Sequence, residues 1–538
     1  VIDEQFRIEV LDWIAKDPDS DTASLLSNWL SENNEIELRK SFNGFLEFGT
    51  AGLRGPVRPG PSGMNRAVVG RTAAGIASFL ISRGLSKVVI GRDARHGSAE
   101  FMQESAEILS GVGLDVYLLP RELPTPVLAF AVNEMKMDCG IMVTASHNPA
   151  TDNGYKVYLG GNLDDVEYRG SQIIAPIDKE ISKLISKVEL PSPRGSNWKI
   201  VGEEVIHGYV SSCVSGAKEA AAQKIIYTAM HGVGTQTLLS VFEAANFSKP
   251  ILVEKQCEPD PDFPTVAFPN PEEPGAMDLA IKLAISQNGD LVIANDPDAD
   301  RCAVAAKDAA GNWRTLRGDE IGIILGHYIS KTEKVVGKTF ATTIVSSSAL
   351  KKIAKNSGAD FHETLTGFKY LSKINNLVFG YEEAIGYCVN PSKVNDKDGI
   401  SAALKIAQIN SELIGRGSSL FAYLDEIWSE IGYHRTEQLS IRYEDVSEIS
   451  RTIAEVVANP PNQVAGLDVT SFEDLSKSLA PTVGLRIKCG ESAKIIIRPS
   501  GTEPKLKTYI EVIGEEQFAN NLVEQIKREF TKLFASYS

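Results

Sequence analysis

Cysteine is scarce and scattered in this chain: six residues, at positions 139, 213, 257, 302, 388 and 489, with no Cys-x-x-Cys pair. That pattern fits reduced thiols better than a secreted disulfide framework. The chain also lacks any apolar run near the ~20 residues that a membrane helix requires. Its first residues, Val1-Ile2-Asp3-Glu4, show no basic segment leading into an apolar one, so no signal peptide is expected. Low-complexity tracts are absent too. A cytoplasmic protein with no membrane partner is the expectation. Net positive charge is missing as well: the formal charge is -15, which argues against bulk binding to nucleic acid or to an anionic membrane. An anionic small molecule stays open, provided that Arg and Lys are concentrated where it binds.

What is present is length and a recurring pattern. At 538 residues, the chain is expected to hold roughly three or four domains. Three apolar, β-type segments open alike, at Lys87–Gly91, Lys224–Ala229 and Lys338–Thr343, each followed by a turn and helix-like sequence such as Ser98–Ala106. Each unit then has a second apolar strand that enters an unusual loop. Gly140–Val143 enters the loop at Ser146, Asp290–Ile293 the loop at Asp296, and Asn376–Phe379 the segment Gly380–Gly386. Strand, helix and strand at this spacing predict three related α/β domains with mainly parallel mixed sheets. Ligands on such sheets bind at the carboxyl ends of strands, where all three loops fall. The C-terminal part, from His434 onward, breaks the pattern and reads as a smaller α+β domain. The expected divisions are 1–205, 206–314, 315–437 and 438–538, the first forty residues forming a helical extension.

Each loop carries its own chemistry. Thr144-Ala145-Ser146-His147-Asn148-Pro149 puts a hydroxyl on a turn beside an imidazole; a serine needs such help to act as a nucleophile at neutral pH. By itself the stretch fits a plain turn equally well. Asp296-Pro297-Asp298-Ala299-Asp300-Arg301 alternates three carboxylates, hard ligands suited to Mg²⁺, Mn²⁺ or Ca²⁺. An EF-hand is excluded, because its sixth and twelfth positions are Arg301 and Lys307 here. Three carboxylates, a divalent cation and a phosphorylated serine sum to about -3. A second phosphate would therefore need cations, and Arg54, Arg92, Lys156, Arg301 and Lys397 are the candidates. Glu382 and Glu383 could accept hydrogen bonds from sugar hydroxyls, or form the acidic first turn of a helix. Arg498-Pro499-Ser500-Gly501-Thr502-Glu503-Pro504 offers a guanidinium, two hydroxyls and a glycine turn, which suits either a phosphate clamp or a simple turn.

Taken together and in this order, the four loops resemble those of the α-D-phosphohexomutase superfamily over nearly the full chain. Phe48-Gly49-Thr50-Ala51-Gly52-Leu53-Arg54-Gly55 and Thr366-Gly367-Phe368-Lys369 resemble the phosphoglucomutase/phosphopentomutase branch. The resemblance implies four domains around a central cleft, and Ser146 as a phosphoserine whose phosphate joins Asp296, Asp298 and Asp300 in binding Mg²⁺. It implies that Arg54, Lys156 and Arg301 surround the reacting phosphate; Arg92, from its place in the stretch Gly91–Arg95, is expected as a further substrate contact. His147 and Lys397 become the candidates for general acid and base. Glu382, with Glu383 beside it, would meet the sugar; Arg498, Ser500, Gly501 and Thr502 would grip the phosphate that is not transferred. The implied reaction interconverts glucose 1-phosphate and glucose 6-phosphate through glucose 1,6-bisphosphate. Mannose or pentose phosphates, or synthesis of the bisphosphate itself, are the alternatives, and a non-catalytic sugar-phosphate sensor is a remote one. Many members carry Ser two residues after the sugar-loop Glu, where this chain has Ala384, so that loop does not assign the sugar. A monomer or a homodimer is expected.

Overall fold

A computed structural model describes residues 2–49, 52–189, 191–214, 217–477, 482–500 and 504–537. The chain forms two compact units, Val1–Leu316 with Gly386–Gly417, and Arg317–Ile385 with Ser418–Ser538.

The first unit begins with three helices, Glu4–Lys16, Ser20–Ser31 and Glu35–Ser41. Asp3, Asp19 and Asn34 cap their N-termini through side-chain oxygens, which satisfies backbone donors that a helix start leaves unpaired. Their inner faces meet at Phe6, Val10, Leu26, Leu30 and Leu38.

Two sheets follow. In the first, strands Lys87–Arg92, Asp115–Leu118, Cys139–Val143 and Trp198–Ile200 run parallel. Asp152–Leu159 and Leu53–Pro56 then add antiparallel to the Cys139–Val143 side. Every residue of Cys139–Val143 is buried, as expected of a central strand covered on both faces. In the second sheet, Ile251–Leu252, Ile225–Thr228 and Leu291–Ala294 are parallel, while Ala303–Lys307 and Trp313–Thr315 return antiparallel. The Asp296 loop is thus the connection between strands Leu291–Ala294 and Ala303–Lys307. The segment Gly386–Gly417 belongs to this unit. Its helix Gly399–Gly415 is capped by Asp398, which accepts from the backbone N–H groups of Ile400 and Ser401.

The second unit has its own parallel strands, Asp360–Thr364, Thr339–Thr343 and Leu377–Glu382, with helices Gly318–Thr332, Ala349–Asn356 and Leu420–Ile431. It ends in an antiparallel sheet of strands Tyr433–Arg442, Lys505–Gly514, Ala493–Pro499, Leu485–Cys489 and Ser471–Asp474. Helix Glu516–Ala535 buries Leu522, Val523, Ile526, Phe530 and Phe534 in the adjoining core. The fold class is therefore that expected from the sequence: three α/β sheets, mainly parallel and in the first unit mixed, and a smaller C-terminal α+β part.

Candidate active site

In the first unit two loops meet. The Ser146 loop leaves the buried strand Cys139–Val143 and turns sharply, Ser146 itself taking a left-handed φ of 50°. Ala299 in the acidic loop does the same, at φ 53°. Such a conformation costs a non-glycine residue about 1–2 kcal/mol, and strain of this kind gathers where a side chain must be aimed. The Ser146 N–H donates to Thr144 Oγ1 (2.9 Å). Its hydroxyl donates to Asp296 Oδ2 at 2.7 Å and lies 3.2 Å from His147 Nδ1.

Asp296, Asp298 and Asp300 are all buried, and one oxygen from each lies within 4.8 Å of the others. Asp298 Oδ2 accepts from Thr125 Oγ1 (2.5 Å) and Lys156 Nζ (2.6 Å). Asp300 Oδ2 accepts from Lys156 Nζ (2.8 Å) and Lys397 Nζ (2.9 Å). Asp296 Oδ1 accepts the Arg301 backbone N–H at 3.0 Å. Asp298 Oδ1 and Asp300 Oδ1 are buried and have no hydrogen-bond partner among the described residues. Two orphaned carboxylate oxygens beside a third carboxylate form an all-oxygen, strongly anionic donor set, which fits a hard divalent cation of the Mg²⁺ type.

The electrostatics agree. Burial, with Asp298 and Asp300 alongside, pushes the Asp296 carboxyl up to about 8. Burial would raise Asp300 as well, but Lys156, Lys397 and Arg301 outweigh it and hold that carboxyl far below its ordinary value. For Asp298, burial and the Asp300 charge are likewise overcome by Lys156 and by the Thr125 hydrogen bond. His147 is pushed well down, first by burial and then by the Arg301 and Arg54 charges, so its imidazole is neutral. Arg54 also interacts electrostatically with Asp298 and Asp300.

The structure therefore brings together Ser146, His147, Arg54, Lys156, Arg301, Lys397 and the three aspartates. Arg92 pairs instead with Glu122 (2.7 Å) and donates to Asp93 O (3.3 Å). In the second unit, Glu382 ends the strand Leu377–Glu382. Glu383 Oε2 accepts from Ser346 Oγ (2.9 Å) and Thr343 Oγ1 (3.3 Å). Arg498 lies near the end of the strand Ala493–Pro499, and the Ser500 N–H donates to Lys505 O (2.8 Å). Gly501 and Thr502 lie outside the described residues.

Sequence reasoning passed over Thr125, whose place after Pro124 and before Pro126 reads only as a helix start, and Arg95. The Arg95 guanidinium donates to backbone carbonyls of the serine loop. Its only signal was a place in the glycine-bordered stretch Gly91-Arg92-Asp93-Ala94-Arg95.

Comparison with known proteins adds the family. Residues 46–190, 203–311 and 317–431 match the phosphoglucomutase/phosphomannomutase α/β/α domains I, II and III. Residues 457–529 match that family's C-terminal domain. A Haemophilus influenzae protein named "Probable phosphomannomutase" is 46% identical over 84% of this chain and 94% of its own length. The phosphopentomutase of Homo sapiens is 33% identical, over 99% of this chain and 95% of its own. A phosphoglucomutase of Staphylococcus aureus is 32% identical, over 93% and 94% respectively. The three names differ in the sugar and agree in the chemistry. The chain is a phosphomutase and belongs to the phosphoglucomutase/phosphomannomutase family, within the α-D-phosphohexomutase superfamily.

Proposed function

We propose that the protein interconverts glucose 1-phosphate and glucose 6-phosphate, with phosphorylated Ser146 as the phosphoryl carrier and glucose 1,6-bisphosphate as the intermediate. The observation that carries this reading is the Ser146 hydroxyl 2.7 Å from Asp296 Oδ2, inside a buried triad ringed by Lys156, Lys397, Arg54 and Arg301.

Asp296, Asp298 and Asp300, with an oxygen on Ser146, would hold Mg²⁺, which neutralises charge on the transferred group when bound. The protein's part is positioning and electrostatics, which dominate phosphoryl transfer. A sugar hydroxyl attacks phosphorus; its new P–O bond forms as the bond to the Ser146 oxygen breaks. His147, held neutral, accepts the proton of the attacking hydroxyl. The Lys397 ammonium supplies one to the departing serine oxygen. The bisphosphate then reorients, and the same steps run in reverse from its other phosphate, restoring phosphoserine and both proton states. Arg498 and Ser500, with Gly501 and Thr502, would hold the phosphate at the far end. Glu382 would accept hydrogen bonds from the sugar, and Arg92 would lend positive charge. The domain divisions near residues 205, 314 and 437 belong to the same proposal.

Mannose phosphates are the second reading, favoured by the name of the 46% identical relative. The test is kcat/KM for glucose, mannose and ribose phosphates, measured in parallel with Mg²⁺ and trace glucose 1,6-bisphosphate. A clear glucose preference supports the proposal, and a mannose or ribose preference reassigns the sugar. Absence of turnover on all three, with release of bisphosphate when a phosphoryl donor is supplied, would make the protein a bisphosphate synthase.

A further inference from the structure

The serine loop is gripped from behind by a side chain that the chemistry above does not use. Arg95 Nη1 donates to Pro149 O (2.8 Å) and Asp152 O (3.0 Å), and its Nη2 donates to Ser146 O (2.7 Å) and Asn148 O (2.6 Å). Three carbonyls of the loop and one from the first residue of the strand after it thus converge on one planar fork. The side chain is 1% exposed, so the guanidinium is a buried cation. Asp93 stands behind it: Oδ1 accepts the Arg95 N–H at 3.0 Å, and Oδ2 lies 3.5 Å from Arg95 Nε. In front, the Phe263 ring centre is 4.9 Å from the guanidinium carbon.

We propose that Arg95 is the positioning residue of the phosphoserine loop, fixing where the Ser146 oxygen stands without touching substrate; this rests on Ser146 being the phosphoryl carrier. The physical argument concerns the two peptide planes around Ser146. On its N-terminal side the N–H is fixed by Thr144 Oγ1. On its C-terminal side the carbonyl is fixed by Arg95 Nη2. With both planes held, Ser146 stays at its left-handed φ and its Cα–Cβ bond has one direction, so that the Asp296 hydrogen bond has only the hydroxyl rotamer left to set. Lysine cannot substitute, because an ammonium is a point donor and the carbonyls are spread over a fork that guanidinium geometry matches. Charge is therefore separable from geometry: Arg95→Lys keeps the first and loses the second.

The test uses the full chain and three measurements: the kcat and KM of mutase turnover, the thermal midpoint, and the rate at which radiolabelled glucose 1,6-bisphosphate phosphorylates Ser146. Arg95→Lys is expected to lower kcat on the order of 100-fold, the scale set by roughly 1 Å of misplacement. KM should move by less than about threefold, because ground-state binding lies elsewhere. Ser146 labelling should slow in parallel. Phe263→Leu, which keeps an apolar packing partner, is expected to shift kcat the same way by about threefold, as loss of a buried cation–π contact allows. A kcat within twofold of wild type in Arg95→Lys overturns the inference. So does a rise confined to KM. If Arg95→Lys does not fold, Phe263→Leu decides, and unchanged kcat there overturns it. Wild-type protein that takes no label on Ser146 sinks the carrier reading instead, which keeps the two failures apart.

Discussion

The hydroxyl of Ser146 and the carboxylate of Asp296 are 2.7 Å apart in space and 150 residues apart in the chain. Neither loop makes a reaction centre alone. In the proposed mechanism the serine loop brings the oxygen that carries the phosphoryl group, and the acidic loop brings the charge that organises it. Their junction is held by cations from other segments: Lys156 from the strand Asp152–Leu159, and Lys397 from the turn before the helix Gly399–Gly415.

Ser146→Ala tests that junction directly. Under the proposed mechanism mutase turnover is expected to fall to background, since the variant lacks the hydroxyl proposed to carry the phosphoryl group. Both residues pay alike for φ near 50°, and the lost hydrogen bond costs about 1 kcal/mol. The thermal midpoint should therefore stay within a few degrees of wild type, as fits such a change in a large domain. Turnover above one-tenth of wild type would remove Ser146 from the mechanism.

The acidic triad predicts a stability response to Mg²⁺ that needs no activity assay. Two carboxylate oxygens are buried without a partner among the described residues, so a cation that binds only the folded chain stabilises it by mass action, about 2.7 kcal/mol at a hundred times Kd. Chelator-treated protein should show a thermal midpoint that rises with added Mg²⁺. In Asp298→Asn, with one anionic ligand gone, that rise should be less than half as large. A midpoint indifferent to Mg²⁺ in wild type would refute the cation site.

The triad and the serine were legible because each lies within one short continuous stretch, Asp296–Arg301 and Thr144–Pro149, just beyond an apolar strand. A linear pattern carries that much. The strand Leu291–Ala294 and the loop after it stand within one residue of the expected positions. Other parts of the site depend on convergence, which a linear pattern does not encode. The Thr125 hydroxyl matters because it meets Asp298 Oδ2, and in sequence it is a helix start between two prolines. The role of Arg95 depends on four carbonyls turning toward one point, after the chain has bent at Ser146. Nothing in the sequence marks Gly386–Gly417 as part of the first unit, yet that grouping carries Lys397 to Asp300.

Gly399 shows the same convergence at the backbone. A Cβ built there would stand 2.2 Å from Arg301 O and 2.7 Å from Asn295 Nδ2. The start of the helix Gly399–Gly415 thus lies directly against the acidic loop, and the backbone of that loop must move to admit a methyl group. Gly399→Ala is expected to cost about 1–3 kcal/mol, as overpacking does. It should also weaken the Mg²⁺-dependent rise in thermal midpoint, because the displaced carbonyl belongs to Arg301, whose N–H holds Asp296. Urea melts with and without Mg²⁺ measure both effects; an unaltered Mg²⁺ response would show that the loop absorbs the change elsewhere.

The second unit offers a pH test. Glu511 is buried and accepts from His434 Nδ1 (2.9 Å), Ser347 Oγ (2.8 Å), Ser348 Oγ (3.0 Å) and the Ser348 N–H (2.7 Å), with Lys494 Nζ 3.2 Å away. Burial would raise its carboxyl, but the Lys494 charge and the His434 hydrogen bond prevail and hold it well below the ordinary glutamate value of 4.5. A carboxyl depressed in the folded state binds fewer protons there than in the unfolded chain. Its contribution is therefore complete above about pH 4.5 and is lost as pH falls toward the folded value. Glu511→Gln removes the charge and leaves Lys494 half-paired in a buried setting, a change that costs about 3 kcal/mol at neutral pH. The expected result is a large stability gap between variant and wild type at pH 7.5 that narrows steadily below pH 4.5, read from urea midpoints of the unfolding transition that includes the C-terminal sheet. A gap that stays constant across that range would mean that the charge of Glu511 does not hold the cluster together.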